Sequence, residues 1–466
     1  MTTLFWQMLR TGLQIGSLIV LSRLLGPREI GLMSMVVAIT GIGGLLRDFG
    51  LSVGSVRLKN LSHEEKSNLF WVNGLLGSCI AAICFLLAVP IANFYDQPEL
   101  VNITRILSVT FLISGLSTQL QAELQRNLRF STMGAIELTA QAVGVAAAIL
   151  VALQTPTVAA LLTQAIVQSV TFFLFQLAKT QWWPSWPSRT TSIRHIVRFG
   201  AGLSGTQLLA YVSKNVDNVL IGMRFGAYEL GVYSRAFQLV TTPLLQMMSP
   251  MSRVSLPVFA RIVDDDQQFL RYLVAAQTVV IAGGALFFGC LAGTADVIIG
   301  ILLGSAWLAA APISQALAAG AVFKLLGQVP YWIFVAYGAS GRQFKLYLVG
   351  QPIIIACIVG GLSFGSIGVA WGGTIGYGIF WAMQMWTAQS VARIDVRKLA
   401  VNGIMTAAVI GLPAAAITFS VLRFVIGGIP GLFLGPLLAC LYTGLLIALM
   451  PERRRLLIQI VRQARG

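Results

Sequence analysis

Charge is what this sequence lacks. Only 10% of its 466 residues are Asp, Glu, Lys or Arg, against about 25% in an ordinary soluble domain. A chain so poor in charge does not read as a water-soluble globular protein. Histidine is nearly missing: the two, His63 and His195, stand in polar stretches between apolar runs. They offer neither a metal-binding cluster nor a base for a hydrolytic triad. The five cysteines, Cys79, Cys84, Cys290, Cys357 and Cys440, sit inside apolar runs with no CxxC spacing. Neither disulfides nor a metal site are expected from them. No P-loop occurs, so the chain itself consumes no ATP and calls for no cofactor.

What fills the sequence is a recurring cycle of apolar runs, each near the ~20 residues that span a bilayer. About fourteen can be drawn, at approximately 4–25, 29–50, 69–92, 103–125, 130–153, 156–178, 201–223, 231–252, 272–295, 312–336, 344–362, 366–388, 401–422 and 427–449. Each should be a helix, because hydrocarbon offers backbone amides no other partner. The sequence therefore predicts an all-α polytopic membrane protein. The first run is read as a retained helix, since "RLLGPREIG" follows it directly with no small-residue cleavage site. The segment Ala295 to Pro312, "ADVIIGILLGSAWLAAAP", is too short and glycine-broken to span twice. It is expected to lie against the outer surface as a partly re-entrant helix.

The formal charge of +16 suggests nucleic acid until the positions are read. Arg57, Lys59 and Lys66, then Arg126 and Arg129, then Lys179, Arg189, Arg194 and Arg198 fall in alternate loops, a series continued down to the tail Arg453, Arg454 and Arg455. The opposite loops hold only Arg28, Arg224 and Arg423. This is the positive-inside asymmetry, and it predicts both termini in the cytoplasm and no nucleic-acid partner.

The stretch "LLGPREIGLMS", Leu24 to Ser34, has an echo in "RFGAYELGVYS", Arg224 to Ser234. Gly26 and Gly226, Glu29 and Glu229, Gly31 and Gly231, and Ser34 and Ser234 coincide. Six spans separate the copies, so both enter the membrane in the same direction. Such parallel repeats imply two six-helix lobes related by a pseudo-twofold axis along the membrane normal. The expected division is 1–178 for one lobe, 179–200 for a cytoplasmic linker, 201–388 for the second lobe, and 389–466 for two further helices and a basic tail. The linker "KTQWWPSWPSRTTSIRHIVRFG" carries Trp182, Trp183 and Trp186, side chains suited to the headgroup level, and an amphipathic helix over 192–198 is expected to follow.

At this point the residues carry a resemblance. "LSRLLGPREIGLMSM", "LLRDFGLS", "KNVDNVLIG", "LGVYSRAFQLV", "SRVSLPVFARIVDD" and "LLGSAWLAAAPI" are similar to the polysaccharide transporters of the multidrug/oligosaccharidyl-lipid/polysaccharide exporter superfamily, Wzx-type flippases most of all. The resemblance implies a fourteen-helix, two-lobed fold in the bacterial inner membrane. It implies an undecaprenyl-pyrophosphate-linked oligosaccharide as cargo, for O-antigen, capsule or exopolysaccharide synthesis. Membrane lipids, a polysaccharide polymerase and other assembly proteins are its implied partners.

Such a cargo calls for cations and hydrogen-bonding groups inside the membrane, where ionisable residues are costly and so candidates for function. The basic set is Arg10, Arg105, Lys214, Arg235 and Lys324; the acidic set is Asp48, Glu123, Glu137 and Asp217. Gln207, Tyr211, Lys214 and Asn218 fall on one face of the seventh span. Arg10, Gln14 and Ser17 do so on the first, Arg235, Gln238, Thr242 and Gln246 on the eighth, and Lys324, Gln328 and Tyr331 on the tenth. Lys214 and Lys324 are the first choices for the pyrophosphate, Arg10 and Arg235 the next, with Gln207, Asn218 and Gln328 beside them. Asp217 and Glu137 are candidates for binding the coupling H+ or Na+, though Asp217, three residues after Lys214, also suits plain charge neutralisation. Arg47 and Asp48 suit either an inner gate or a simple membrane boundary.

A drug exporter of the same superfamily would be expected to show carboxylates and aromatics instead of this cationic set. A lipid II flippase shares the pyrophosphate handle. A membrane glycosyltransferase needs large carboxylate-bearing loops, and the run Asp264 to Asp266 stands alone as solvated linker. The charge pattern predicts an outward-facing Gln97 and an inward-facing Ser185. In a cysteine-free background, Gln97→Cys should react with an impermeant maleimide on intact cells, and Ser185→Cys only after permeabilisation; the reverse pattern would contradict the orientation.

Overall fold

The computed structural model describes residues 2–48, 62–188, 194–392 and 394–449. Among the described residues every regular element is helical. In chain order these are α1 (Thr2–Leu24), α2 (Pro27–Asp48), α3 (His63–Leu86), α4 (Ala88–Tyr95), α5 (Leu100–Arg126), α6 (Phe130–Gln154) and α7 (Ala159–Thr180). There follow α8 (Arg194–Arg261), α9 (Asp266–Leu302), α10 (Ala310–Leu326), α11 (Gln328–Ala336), α12 (Ser340–Gly361), α13 (Gly365–Gln389), α14 (Val396–Ser420) and α15 (Gly428–Leu449). Nine stretches among the described residues, from His63–Leu86 to Gly428–Leu446, are long and apolar enough to cross a membrane. The remaining expected spans fall in α1, α2 and α8. Large apolar side chains such as Leu86, Phe433 and Leu441 stay exposed, as lipid-facing surfaces require.

Local chemistry explains the ends and breaks. Ser62 and Glu65 form a reciprocal capping box at the start of α3, with Ser62 Oγ accepting from the Glu65 amide at 3.1 Å and Glu65 Oε2 from the Ser62 amide at 2.8 Å. Asp395 caps α14. Asp265 caps α9, accepting from the Gln268 amide at 2.9 Å, so the acidic run is part of a helix start as well as a linker. The tenth span is broken at Gly327 between α10 and α11. Pro330, lacking an N–H, cannot serve the Leu326 carbonyl one turn back.

Three expectations need correction. The segment 295–312 is no separate re-entrant helix: α9 runs unbroken for 37 residues through Leu302, about 55 Å at 1.5 Å per residue. A turn at Gly304 (φ 104°) and a short 3-10 helix, Ser305–Trp307, lead into α10. The helix beginning at Arg194 continues without a break into the seventh span, whereas a separate surface helix was expected there; residues 189–193 lie outside the described residues. His63, in a polar stretch expected to be a solvated loop, opens α3 and is exposed but tethered, its Nδ1 accepting from Trp182 Nε1 at 3.2 Å. The linker 181–188 is pinned to α3 by this bond, by paired bonds between Asn68 and the Ser188 backbone, both 2.8 Å, and by Trp186 stacked on Trp71.

By its packing the chain forms two compact units, Met1–Gly231 and Val232–Gly466. The seventh span falls in the first of these units and rests on α2. Tyr211 Oη donates to the Val37 carbonyl at 2.9 Å and fills the space beside Gly41.

The two copies of the repeat meet each other in this first unit. A Cβ on Gly31 would collide with the carbonyl oxygen of Ala227, and a Cβ on Gly231 with that of Pro27. Pro27 and Ala227 are equivalent positions of the repeat, so the contact is reciprocal. Gly226 (φ 81°, ψ −174°) is the non-helical residue that separates the two segments of α8, a conformation that costs glycine little. Because backbone atoms, not flexible side chains, occupy the space, Gly31→Ala and Gly231→Ala should each destabilise the protein by about 1–3 kcal/mol. Thermal unfolding in detergent measures this, and Gly44→Ala, which meets open space, should leave the midpoint nearly unchanged.

Candidate binding cavity and membrane cations

In the first unit, α1, α5, α6 and α7 line an open cavity of about 390 Å³. Arg10 from α1 and Glu137 from α6 face each other across it, Nη1 to Oε2 at 2.6 Å. Thr110, Phe111 and Ser114 of α5 and Gln168, Ser169 and Phe172 of α7 complete most of its wall. The sequence proposed Arg10 for an anion and Glu137 for a coupling ion as separate sites; the fold joins them as one pair. Their side chains are 55% and 28% exposed, so solvent screening limits what the pair adds to stability.

The stripe on the seventh span is only partly accounted for. Tyr211 docks on α2 as described. Asp217 is buried, with Oδ1 accepting from the Asn218 amide at 2.8 Å, and Asn218 Oδ1 is buried without a hydrogen-bond partner. Lys214 and Gln207 belong to α8, but their side chains lie outside the described residues, as do those of Arg47 and Asp48. Among the other carboxylates, Glu123 is buried against Lys66 at 2.8 Å and anchors α3 to α5. Arg105 sits over the Phe85 ring at 4.9 Å and does not line the cavity.

The second unit holds the remaining candidates. The Lys324 ammonium lies 4.2 Å from the Tyr377 ring centroid and 5.7 Å from that of Phe237. The aromatic faces, negative by their quadrupoles, offset part of the cost of holding a cation there. Arg235 is buried, with Nη1 donating to Gln238 Oε1 at 2.8 Å. Gln328 Oε1 accepts from Ser252 Oγ at 3.2 Å. The residues that sequence reasoning missed are Tyr377 and Phe237 beside Lys324, and Ser114, Gln168 and Ser169 of the first cavity. Aromatics are common in any apolar span and carried no signal, but Gln164, Gln168 and Thr171 of α7 and Thr110, Ser114 and Ser117 of α5 recur at helical spacing, a signal of the kind read on the other spans.

Comparison with known proteins follows from this geometry. A family model described as "Polysaccharide biosynthesis protein" matches residues 20–312. The teichuronic acid biosynthesis protein TuaB of Bacillus subtilis is 28% identical over 335 residues, covering 70% of this chain and 68% of its own. The lipopolysaccharide biosynthesis protein WzxC of Escherichia coli is 26% identical over 367 residues, covering 78% and 74%. Among solved structures, the lipid II flippase MurJ in an inward closed conformation shares the fold at a TM-score of 0.71, with 13% identity and 96% of this chain and 98% of that one covered. An inward-facing transporter of the multidrug resistance MATE family does so at 0.64, with 13% identity and coverage of 84% and 96%.

If the aromatic pair holds Lys324 in place, a double-mutant cycle between Lys324→Met and Tyr377→Leu should give a coupling of about 0.5–2 kcal/mol. Additive losses in thermal unfolding would mean that the ring and the ammonium act independently.

Proposed function

The chain belongs to the polysaccharide biosynthesis protein family, and from that premise we propose that it is a flippase for undecaprenyl-pyrophosphate-linked oligosaccharide repeat units in the bacterial inner membrane. The observation that carries the reading is this family membership in a chain whose fold is that of lipid and drug transporters. The cargo presents an anionic pyrophosphate, a hydrophilic glycan and a polyprenyl tail. Lys214 and Lys324 meet the pyrophosphate in this reading, with Arg235 next to them in importance. Gln207, Asn218 and Gln328 add hydrogen bonds, and Asp217 binds the coupling H+ or Na+. The surplus of basic over acidic groups inside the spans favours this cargo over an organic cation.

Turnover in this scheme is alternating access, and the duplicated hairpin supplies its moving seam. Gly31 and Gly231 lie close enough for their helices to seal backbone to backbone in one state and part in the other. Both termini lie in the cytoplasm, and a polymerase is the natural acceptor of the translocated unit.

In a strain lacking this protein, polyprenyl-linked oligosaccharide should accumulate at the cytoplasmic face while surface polysaccharide is lost. Wild-type protein should relieve the block; Lys214→Ala and Lys324→Ala, at equal membrane levels, should lower export at least about tenfold, equivalent to ~1.4 kcal/mol. An unchanged lipid-linked pool with altered sensitivity to cationic dyes would contradict the proposal and favour a drug exporter.

A further inference from the structure

The cavity of the first unit has a surface that a bare anion does not need. Its volume, about 390 Å³, falls among those of small-molecule sites. Phe111 and Phe172 supply apolar ring surface. Around them stand four uncharged polar side chains. Gln168 and Ser114 make no side-chain hydrogen bond among the described residues, leaving an amide with both donors and acceptor, and a hydroxyl, open to a ligand. Thr110 and Ser169 donate to the carbonyls of Leu107 (2.6 Å) and Ala165 (2.8 Å), so each hydroxyl oxygen keeps its lone pairs and can accept.

The charges decide between ligands. Arg10 and Glu137 cancel each other at 2.6 Å, and they are the two charged residues of this wall. A pyrophosphate approaching Arg10 would meet the Glu137 carboxylate beside it. An uncharged pyranose meets no such repulsion. Its hydroxyls donate to Glu137, Thr110 and Ser169 and accept from Arg10 and Gln168, while its C–H face packs on a phenyl ring. Charged hydrogen-bonding partners make the strongest of these contacts.

We propose that this cavity is a carbohydrate subsite that takes a neutral sugar residue of the cargo, and that Arg10 and Glu137 act there as a hydrogen-bonding pair for sugar hydroxyls. The proposal deepens the flippase reading and rests on it for the source of the sugar. The pyrophosphate is left to the lysines.

The test uses the full chain in lipid nanodiscs and saturation-transfer NMR with methyl glycosides of glucose, galactose and N-acetylglucosamine, and sodium pyrophosphate as competitor. At least one glycoside should show saturation transfer that pyrophosphate does not displace. Gln168→Leu and Ser114→Ala, chosen to keep shape, should each weaken it about three- to tenfold, the worth of one neutral hydrogen bond, with unchanged melting temperatures. Should one variant fail to fold, the other carries the same comparison. Displacement by pyrophosphate, no glycoside binding, or binding indifferent to both substitutions would overturn the subsite. Glycoside binding in a protein whose loss leaves the lipid-linked pool unchanged would retain the subsite and remove the flippase reading; a growing pool without glycoside binding would do the opposite.

Discussion

The contact on which the architecture turns is made by two glycines. Gly31 and Gly231 bring the backbones of α2 and α8 so close that each helix lies where the other's Cβ would be. Without bulk solvent to drive helices together, membrane packing relies on such close approach and on hydrogen bonds across it. Tyr211, reaching from α8 to the Val37 carbonyl, supplies one of those bonds two turns further along α2. The same device recurs within the first unit, where Gly77 of α3 and Gly115 of α5 face each other so closely that a Cβ on either would lie 2.9 Å from the other's Cα. There a Lys66–Glu123 pair of 2.8 Å closes the crossing. A small-residue seam and a polar clasp together make a joint.

The two joints differ in what locks them. The α3–α5 crossing is tied by a largely buried ion pair, whose carboxylate Asn127 also holds at 3.2 Å from the end of its own helix, so that removing one partner would leave the other charge uncompensated. The glycine seam between the repeats is made of backbone contact and one tyrosine bond that water or another carbonyl could replace. On the proposed function this contrast divides rigid structure from moving parts.

Much of the fold was legible because hydrocarbon imposes a strict length and a strict backbone rule. The described residues of the fourteen expected spans are helical but for short breaks, with some ends displaced by up to nine residues, and the repeat noticed as four shared letters is a physical contact between equivalent glycines. What stayed hidden was continuity. Gly304 ends α9 later than its composition suggested, whereas the break at Gly226 falls where the repeated turn and the gap between the seventh and eighth spans put it. The site was legible in its parts and not in its pairing. Arg10 and Glu137 are separated by 127 positions, and periodicity within one helix says nothing of which helix it faces. Lys324 was chosen for its charge, whereas the rings of Tyr377 and Phe237 that hold it come from two other helices.

The central claim is that the seam between the repeat copies opens and closes. Arg28 and Tyr228 are equivalent positions flanking it, and both are exposed; spin labels can replace them at the loss of one solvent-screened pair, Arg28–Glu99 at 2.9 Å. Pulsed electron resonance on Arg28→Cys/Tyr228→Cys protein in nanodiscs would read the distance between them directly. The account predicts two populations whose ratio shifts when lipid-linked oligosaccharide is added. A single short distance, unchanged by cargo and by pH, would mean that the glycine seam is a fixed joint and that transport, if it occurs, moves other parts.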